Sequence, residues 1–158
     1  MRLTTMTDYA LRLLMYVAQH RDRLCTIAEV ATAYDISEAH LMKITHQLGL
    51  AGYIETVRGK GGGMRLAKPA AEINLGAVVR SVEPDFMLVE CMATGNNCAL
   101  TGHCKLTGIF SVALQRFLAH LDGYSLADLA PPGAQSFASE GKRIAFPPKE
   151  RPRPASTD

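Results

Sequence analysis

Apolar residues recur at Met6, Tyr9, Ala10, Leu13, Leu14 and Val17 near the start of the chain. This helical rhythm predicts a first helix over about residues 5–20 with one buried face. Asp8 and Arg12 interrupt the run and no small-residue cleavage site follows, so the segment reads as an amphipathic helix and not as a signal peptide. Thr26-x-x-Glu29 forms a capping box at the head of a second, short helix. After a tight connection at Asp35 and Ile36, Ser37 is placed to N-cap a third helix whose Leu41, Ile44 and Leu48 face inward. Gly49 or Gly52 ends it.

The pattern then changes. Tyr53, Ile54, Thr56 and Val57 predict one strand and Met64–Ala67 its partner, joined by a glycine-rich tip at Arg58–Gly63 and closed by Pro69. Residues 73–84 predict a fourth helix stopped by Pro84. From about Cys104 to Leu121, Leu106, Ile109, Phe110, Leu114, Phe117 and Leu118 form a wide apolar stripe on a long helix. Ser125 caps one more short turn. Beyond Ala130, six of the eight prolines fall among 28 residues with few large apolar side chains, which predicts a disordered tail. The expected fold is mainly α with a small β-hairpin. A winged helix-turn-helix occupies 1–70, a loop and long dimerisation helix 71–130, and the tail 131–158.

Composition alters this picture little. Hydrophobic residues at 47% and charged residues at 20% suit an ordinary globular protein. No apolar run approaches the roughly 18–20 residues that span a bilayer. The expectation is a cytoplasmic protein without a membrane partner, where clustered thiols bind metal or sense redox more often than they form bridges. Net charge is only +2, but its distribution is uneven. Residues 1–70 hold nine Lys/Arg against six Asp/Glu, whereas residues 71–130 hold three against six. Arg58, Lys60, Arg65 and Lys68 form a basic stretch with no acid between them.

A short turn between the second and third helices, followed by a glycine-tipped hairpin, is the order of a winged helix-turn-helix that grips double-stranded DNA. Ser37, Glu38, Ala39, His40, Lys43 and Gln47 on the third helix are candidates to reach base edges or phosphates in the major groove. Gly61 and Gly62 let the tip backbone come close, while Arg58 and Lys60 can contact phosphate or enter the minor groove. Plainer readings stand beside these: a flexible hairpin loop, surface or capping roles for His40 and His46, or a protein-interaction module. A P-loop is excluded, because G-x-x-x-x-G-K-[ST] is absent and the glycines precede a strand. No nucleophile–base pair or paired carboxylates suggest an enzyme.

Three of the four cysteines, Cys91, Cys98 and Cys104, lie in a C-x6-C-x5-C segment rich in Gly and Asn. Four donors normally complete a tetrahedral iron or zinc site, so a fourth must come from elsewhere or stay open. Zinc would recruit His103 or a water, but its usual knuckles are tighter. The wider spacing suits an iron–sulfur cluster better, and a redox disulfide remains a third reading. Cys25, isolated between helices, reads as a small core residue. The apolar stripe after Cys104 offers two outlets: packing on the first helix and wing of its own chain, or pairing with a second copy in a homodimer.

The segments TDYALRLLMYVA, VRGKGGGMRLAKP, the three-cysteine loop and GYSLADLA together resemble the iron–sulfur winged-helix regulators of the Rrf-two superfamily, over about residues 1–130. The resemblance is greatest to the nitric-oxide-sensing branch. It implies that Cys91, Cys98 and Cys104 are cluster ligands and that Asp8 is the fourth, donated across a homodimer in some relatives. On sequence alone Asp8 can equally pair with Arg12 at i,i+4. The cluster-biogenesis branch carries a histidine three residues after its last cysteine. Here that position is Thr107, which separates this chain from that branch. The implied function is a DNA-binding repressor whose cluster, with 4Fe–4S favoured over 2Fe–2S, is lost on reaction with nitric oxide.

Overall fold

The computed structural model describes residues 2–100 and 103–129; the tail expected over 131–158 lies outside them. Six helices are assigned among the described residues: α1 Thr5–Gln19, α2 Ile27–Tyr34, α3 Glu38–Leu50, α4 Leu75–Val82, α5 Leu106–Asp122 and α6 Leu126–Leu129. Strands β1 Ile54–Val57 and β2 Gly63–Leu66 pair antiparallel, with Ile54 opposite Leu66 and Val57 opposite Gly63. The mainly α fold with one small hairpin is the architecture expected.

Local chemistry explains the helix ends. Thr26 accepts from the Glu29 N–H while the Glu29 carboxylate accepts from the Thr26 N–H, closing the capping box that starts α2. Asp35 ends α2 in the left-handed region at φ 54°, which short polar Asp tolerates better than a branched residue. Ile36 then drops into the core and Ser37 caps α3. Gly52, at φ 73°, turns the chain from α3 toward β1.

The core gathers Leu13, Leu14 and Val17 of α1, Val30 of α2, Leu41, Ile44 and Leu48 of α3, and Met64 of β2. Ile73, Val78 and Leu126 extend it toward the C-terminal helices. Cys25 is buried in it, as expected, and it has a second role. Its backbone exchanges two hydrogen bonds with Met64, at 2.9 and 2.7 Å, so it acts as a one-residue third strand holding the hairpin to the body. Burial pushes its thiol above the ordinary range, which keeps it protonated and unreactive.

Two contacts across long sequence separations fix the C-terminal elements. The Thr4 N–H and hydroxyl donate to the Glu83 carboxylate at 3.2 and 3.1 Å, and the buried Thr7 hydroxyl donates to it as well. Glu83 therefore ties the head of α1 to the end of α4. Glu83→Ala is expected to cost about 2–3 kcal/mol, since it strands several donors to one charged acceptor. A lowered denaturant midpoint at unchanged slope checks this, with Glu83→Gln recovering part of the loss.

The second contact is at the far end of α5. Arg80 grips Asp122 with two hydrogen bonds of 2.6 and 2.7 Å. The Asn74 side-chain amide donates to the Asp122 carbonyl at 2.7 Å, and the Leu75 N–H donates to the Tyr124 carbonyl at 3.0 Å. Gly76 makes room for this, because a Cβ there would overlap the Asp122 carboxylate.

No residue of α5 is buried. The helix packs against α4, and Leu106, Ile109 and Val112 stay exposed. Of the two outlets named for the stripe, packing within the chain is made mainly on α4.

Candidate DNA-binding surface and cysteine loop

The inward face of α3 is set by Leu41, Ile44 and Leu48, so the helical repeat decides what points out. Ala39, Met42, Lys43, His46 and Leu50, spaced i, i+3, i+4, i+7 and i+11, are all exposed. Among the residues named from sequence, Glu38 and Lys43 are exposed, and Gln47 is half-buried. The Ser37 hydroxyl is engaged in capping: it accepts from the His40 N–H and meets His40 Nδ1 at 3.0 Å. The His40 ring leans toward Tyr9 of α1, with centroids 6.3 Å apart. Ser37 and His40 thus have structural roles at the head of the helix in addition to any contact they make.

The hairpin tip carries Arg58, Lys60 and Gly61 in the open, with Gly62 partly covered. Gly59 and Gly61 adopt φ 101° and 76°, so the tip needs glycine for its backbone path. Among the described residues no ion pair involves Lys43, Arg58 or Lys60, so their charge faces outward uncompensated. Arg65 differs, being paired with Glu55 across the strands at 2.9 Å. Lys68 lies over the Tyr53 ring at 5.1 Å.

Met42 was not singled out for base contact from sequence, and His46 was weighed there between that role and a plain surface one. The signal was present, because they complete the ridge left once the buried positions of α3 are removed.

The cysteine segment is a loop between a short 3-10 turn, Glu90–Met92, and α5. Cys91, Cys98 and Cys104 are all free thiols and all half-buried. Each has a local anchor. Cys91 Sγ lies 3.0 Å from Thr107 Oγ1, the Cys98 N–H donates to Asn96 Oδ1 at 3.2 Å, and the Leu106 N–H donates to Cys104 Sγ at 3.4 Å. The last bond aims the first amide of α5 at sulfur, the kind of donor that tunes a metal-bound thiolate.

Among the described residues no three His, Cys, Asp or Glu side chains converge as a metal-binding group. The donor chemistry nevertheless fits an iron–sulfur group, with three soft thiols on one loop and none consumed by a disulfide. Asp8 lies on α1, where it forms an ion pair with Arg12 at 2.9 Å, both side chains about half exposed. It also lines an open hollow of about 590 Å³ with Leu3, Tyr9, Arg12 and Tyr34, accessible from outside.

Three helices, a tight α2–α3 turn and a wing with outward cationic tips define a winged helix-turn-helix transcriptional regulator. A family model described as "Rrf2: Iron-dependent Transcriptional regulator" matches residues 3–132, and the chain belongs to that family. Relatives called "HTH-type transcriptional regulator NsrR" are similar over most of the chain. That of Geobacillus kaustophilus is 51% identical over 131 residues, covering 82% of this chain and 89% of that protein. That of Bacillus subtilis is 47% identical, covering 82% and 90%. Among solved structures, T. potens IscR superimposes with a TM-score of 0.66 at 22% identity, covering 82% of this chain and 85% of that one. Oxidized Staphylococcus aureus CymR gives 0.66 at 23%, covering 83% and 97%. These two likenesses speak to the fold.

Proposed function

We propose that this chain is a homodimeric repressor that binds operator DNA through α3 and the wing, and that it senses nitric oxide through an iron–sulfur cluster. The observation carrying this reading is the pairing of a cationic winged helix with three unbridged cysteines on one loop of the same chain. Similarity to regulators named NsrR supports it.

Cys91, Cys98 and Cys104 would hold the cluster, and Asp8 of a second copy would complete the set. A bound cluster supplies an iron site that reacts with nitric oxide. The protein's own part is geometric. The loop leads directly into α5, and α1 carries Asp8 on its outside and packs on α3 from within. The exposed stripe of Leu106, Ile109 and Val112 is the natural surface for the second copy. A carboxylate is a poorer match than thiolate for iron, so the Asp8 contact is the weak point of the set. Without that contact, α1 and the loop would be free to separate, and the spacing of the two α3 helices would change.

Anaerobically purified protein is expected to be brown, to contain iron and sulfide, and to retard an operator duplex that nitric oxide then releases. A colourless protein with stoichiometric zinc and full DNA affinity would sink the reading. An accessory protein that carries a cluster without binding DNA is the other class to exclude. Neutralising Lys43, Arg58 and Lys60 separates them, since a DNA binder loses affinity and salt dependence together.

A further inference from the structure

The ridge on α3 exposes two large apolar residues, Met42 and Leu50, and of these only Met42 lies in the N-terminal half of the helix. Met42 is 56% exposed. It stands in the second turn of the helix, one turn after exposed Ala39 and beside exposed Lys43. Leu50 is the last residue of α3, while exposed Leu106, Ile109 and Val112 lie on α5, where a second copy can cover them. Met42 belongs to a different helix, on the side away from the core residues Ile44 and Leu48.

The chemistry of the surface it faces narrows its purpose. The N-terminal half of a recognition helix meets base edges in the major groove. The apolar group displayed there is the 5-methyl of thymine, and it is recognised by apolar side chains. A thioether on an unbranched chain adapts its shape readily to such a small target. Lys43 carries a point charge suited to phosphate or guanine, and Ala39 is too short to enclose a methyl group alone.

We propose that Met42, flanked by Ala39, is a sequence-specificity determinant that reads a thymine methyl group in each operator half-site. This rests on the proposed DNA-binding function and refines it, since it states which base feature is read and by which side chain.

The experiment begins by selecting operators from a randomised duplex pool with the anaerobically prepared full chain. Each thymine of the selected site is then replaced in turn by deoxyuridine, which removes only the methyl group. Wild-type protein is expected to lose about fourfold in affinity at one thymine per half-site, the scale of one methyl-sized group taken out of apolar contact. Met42→Ala should bind the parent site more weakly and be indifferent to that replacement, while Met42→Leu keeps the sensitivity. Lys43→Ala should weaken every site alike, flatten the salt dependence and leave the thymine effect intact. Wild type indifferent to every methyl, or Met42→Ala as sensitive as wild type, overturns the assignment while leaving the DNA-binding reading in place. Failure of the wild-type chain to select any duplex overturns both.

Discussion

Replacing Cys91, Cys98 or Cys104 by alanine is expected to abolish cluster uptake, each alone and to the same degree. Three thiols on a single loop leave no spare donor, since Cys25 is buried in the core and unavailable. The variants should still fold, because each loop cysteine is half-exposed and lies outside the core cluster. The measurement is iron and sulfide content with visible absorption after anaerobic purification, alongside far-ultraviolet dichroism to verify the fold. Cys25→Ala is the control, expected to lose some stability and keep the colour. Asp8→Ala should fall between, with a cluster altered in spectrum or in its response to nitric oxide. An unchanged spectrum and response would leave Asp8 as the partner of Arg12 and nothing more. Retention of a full cluster by any of the three loop variants would overturn the ligand assignment.

Gly63→Ala is expected to cost about 3 kcal/mol, combining the strain of overpacking with the loss of backbone hydrogen bonds. A Cβ at Gly63 would stand 2.6 Å from the Cys25 carbonyl oxygen and 3.1 Å from the carbonyl carbon and from Leu24 Cβ. Those are mostly backbone atoms, and they belong to the bridge that secures the hairpin. The strands must separate at the point where Cys25 and Met64 exchange hydrogen bonds. A melting temperature lower by roughly 6–12 °C would register the loss. Gly76→Ala provides the contrast. Its Cβ would meet the Asp122 carboxylate and, at 3.0 Å, Arg80 Nη1, which are ends of surface side chains that can swing away. That ion pair is exposed, so its disruption should cost far less than the change at Gly63. Equal destabilisation by the two substitutions would show that the Cys25–Met64 bridge is not what holds the wing.

What the sequence discloses here is mostly what nearest neighbours decide. The Thr26–Glu29 capping box and the Ser37 cap each span four residues, and both form as expected. The strands lie within a residue of their expected limits, with Tyr53 left outside β1 and Gly63 included in β2. The long helix starts at Leu106 instead of Cys104, because the Cys104 sulfur serves as an acceptor before the first turn. The contacts that escaped are those joining distant segments. Glu83 meets Thr4 from 79 residues away, and the third strand is a single residue with no periodicity to reveal it. Even the i,i+4 pairing of Asp8 with Arg12, which is legible, does not exclude a contact with another chain. The cysteine spacing tells which atoms are available, and it does not tell how they are arranged.

The fastening of α5 has a mechanical consequence. The helix is tethered at Asp122 by Arg80 and Asn74 and packs along α4, while its other end merges into the cysteine loop. Seventeen residues at 1.5 Å each make a lever arm of about 25 Å. A swing of roughly ten degrees about the Asp122 pivot would carry the Leu106 end through about 4 Å. A small rotation at that tether would therefore reach the cysteine loop as a displacement of several ångströms.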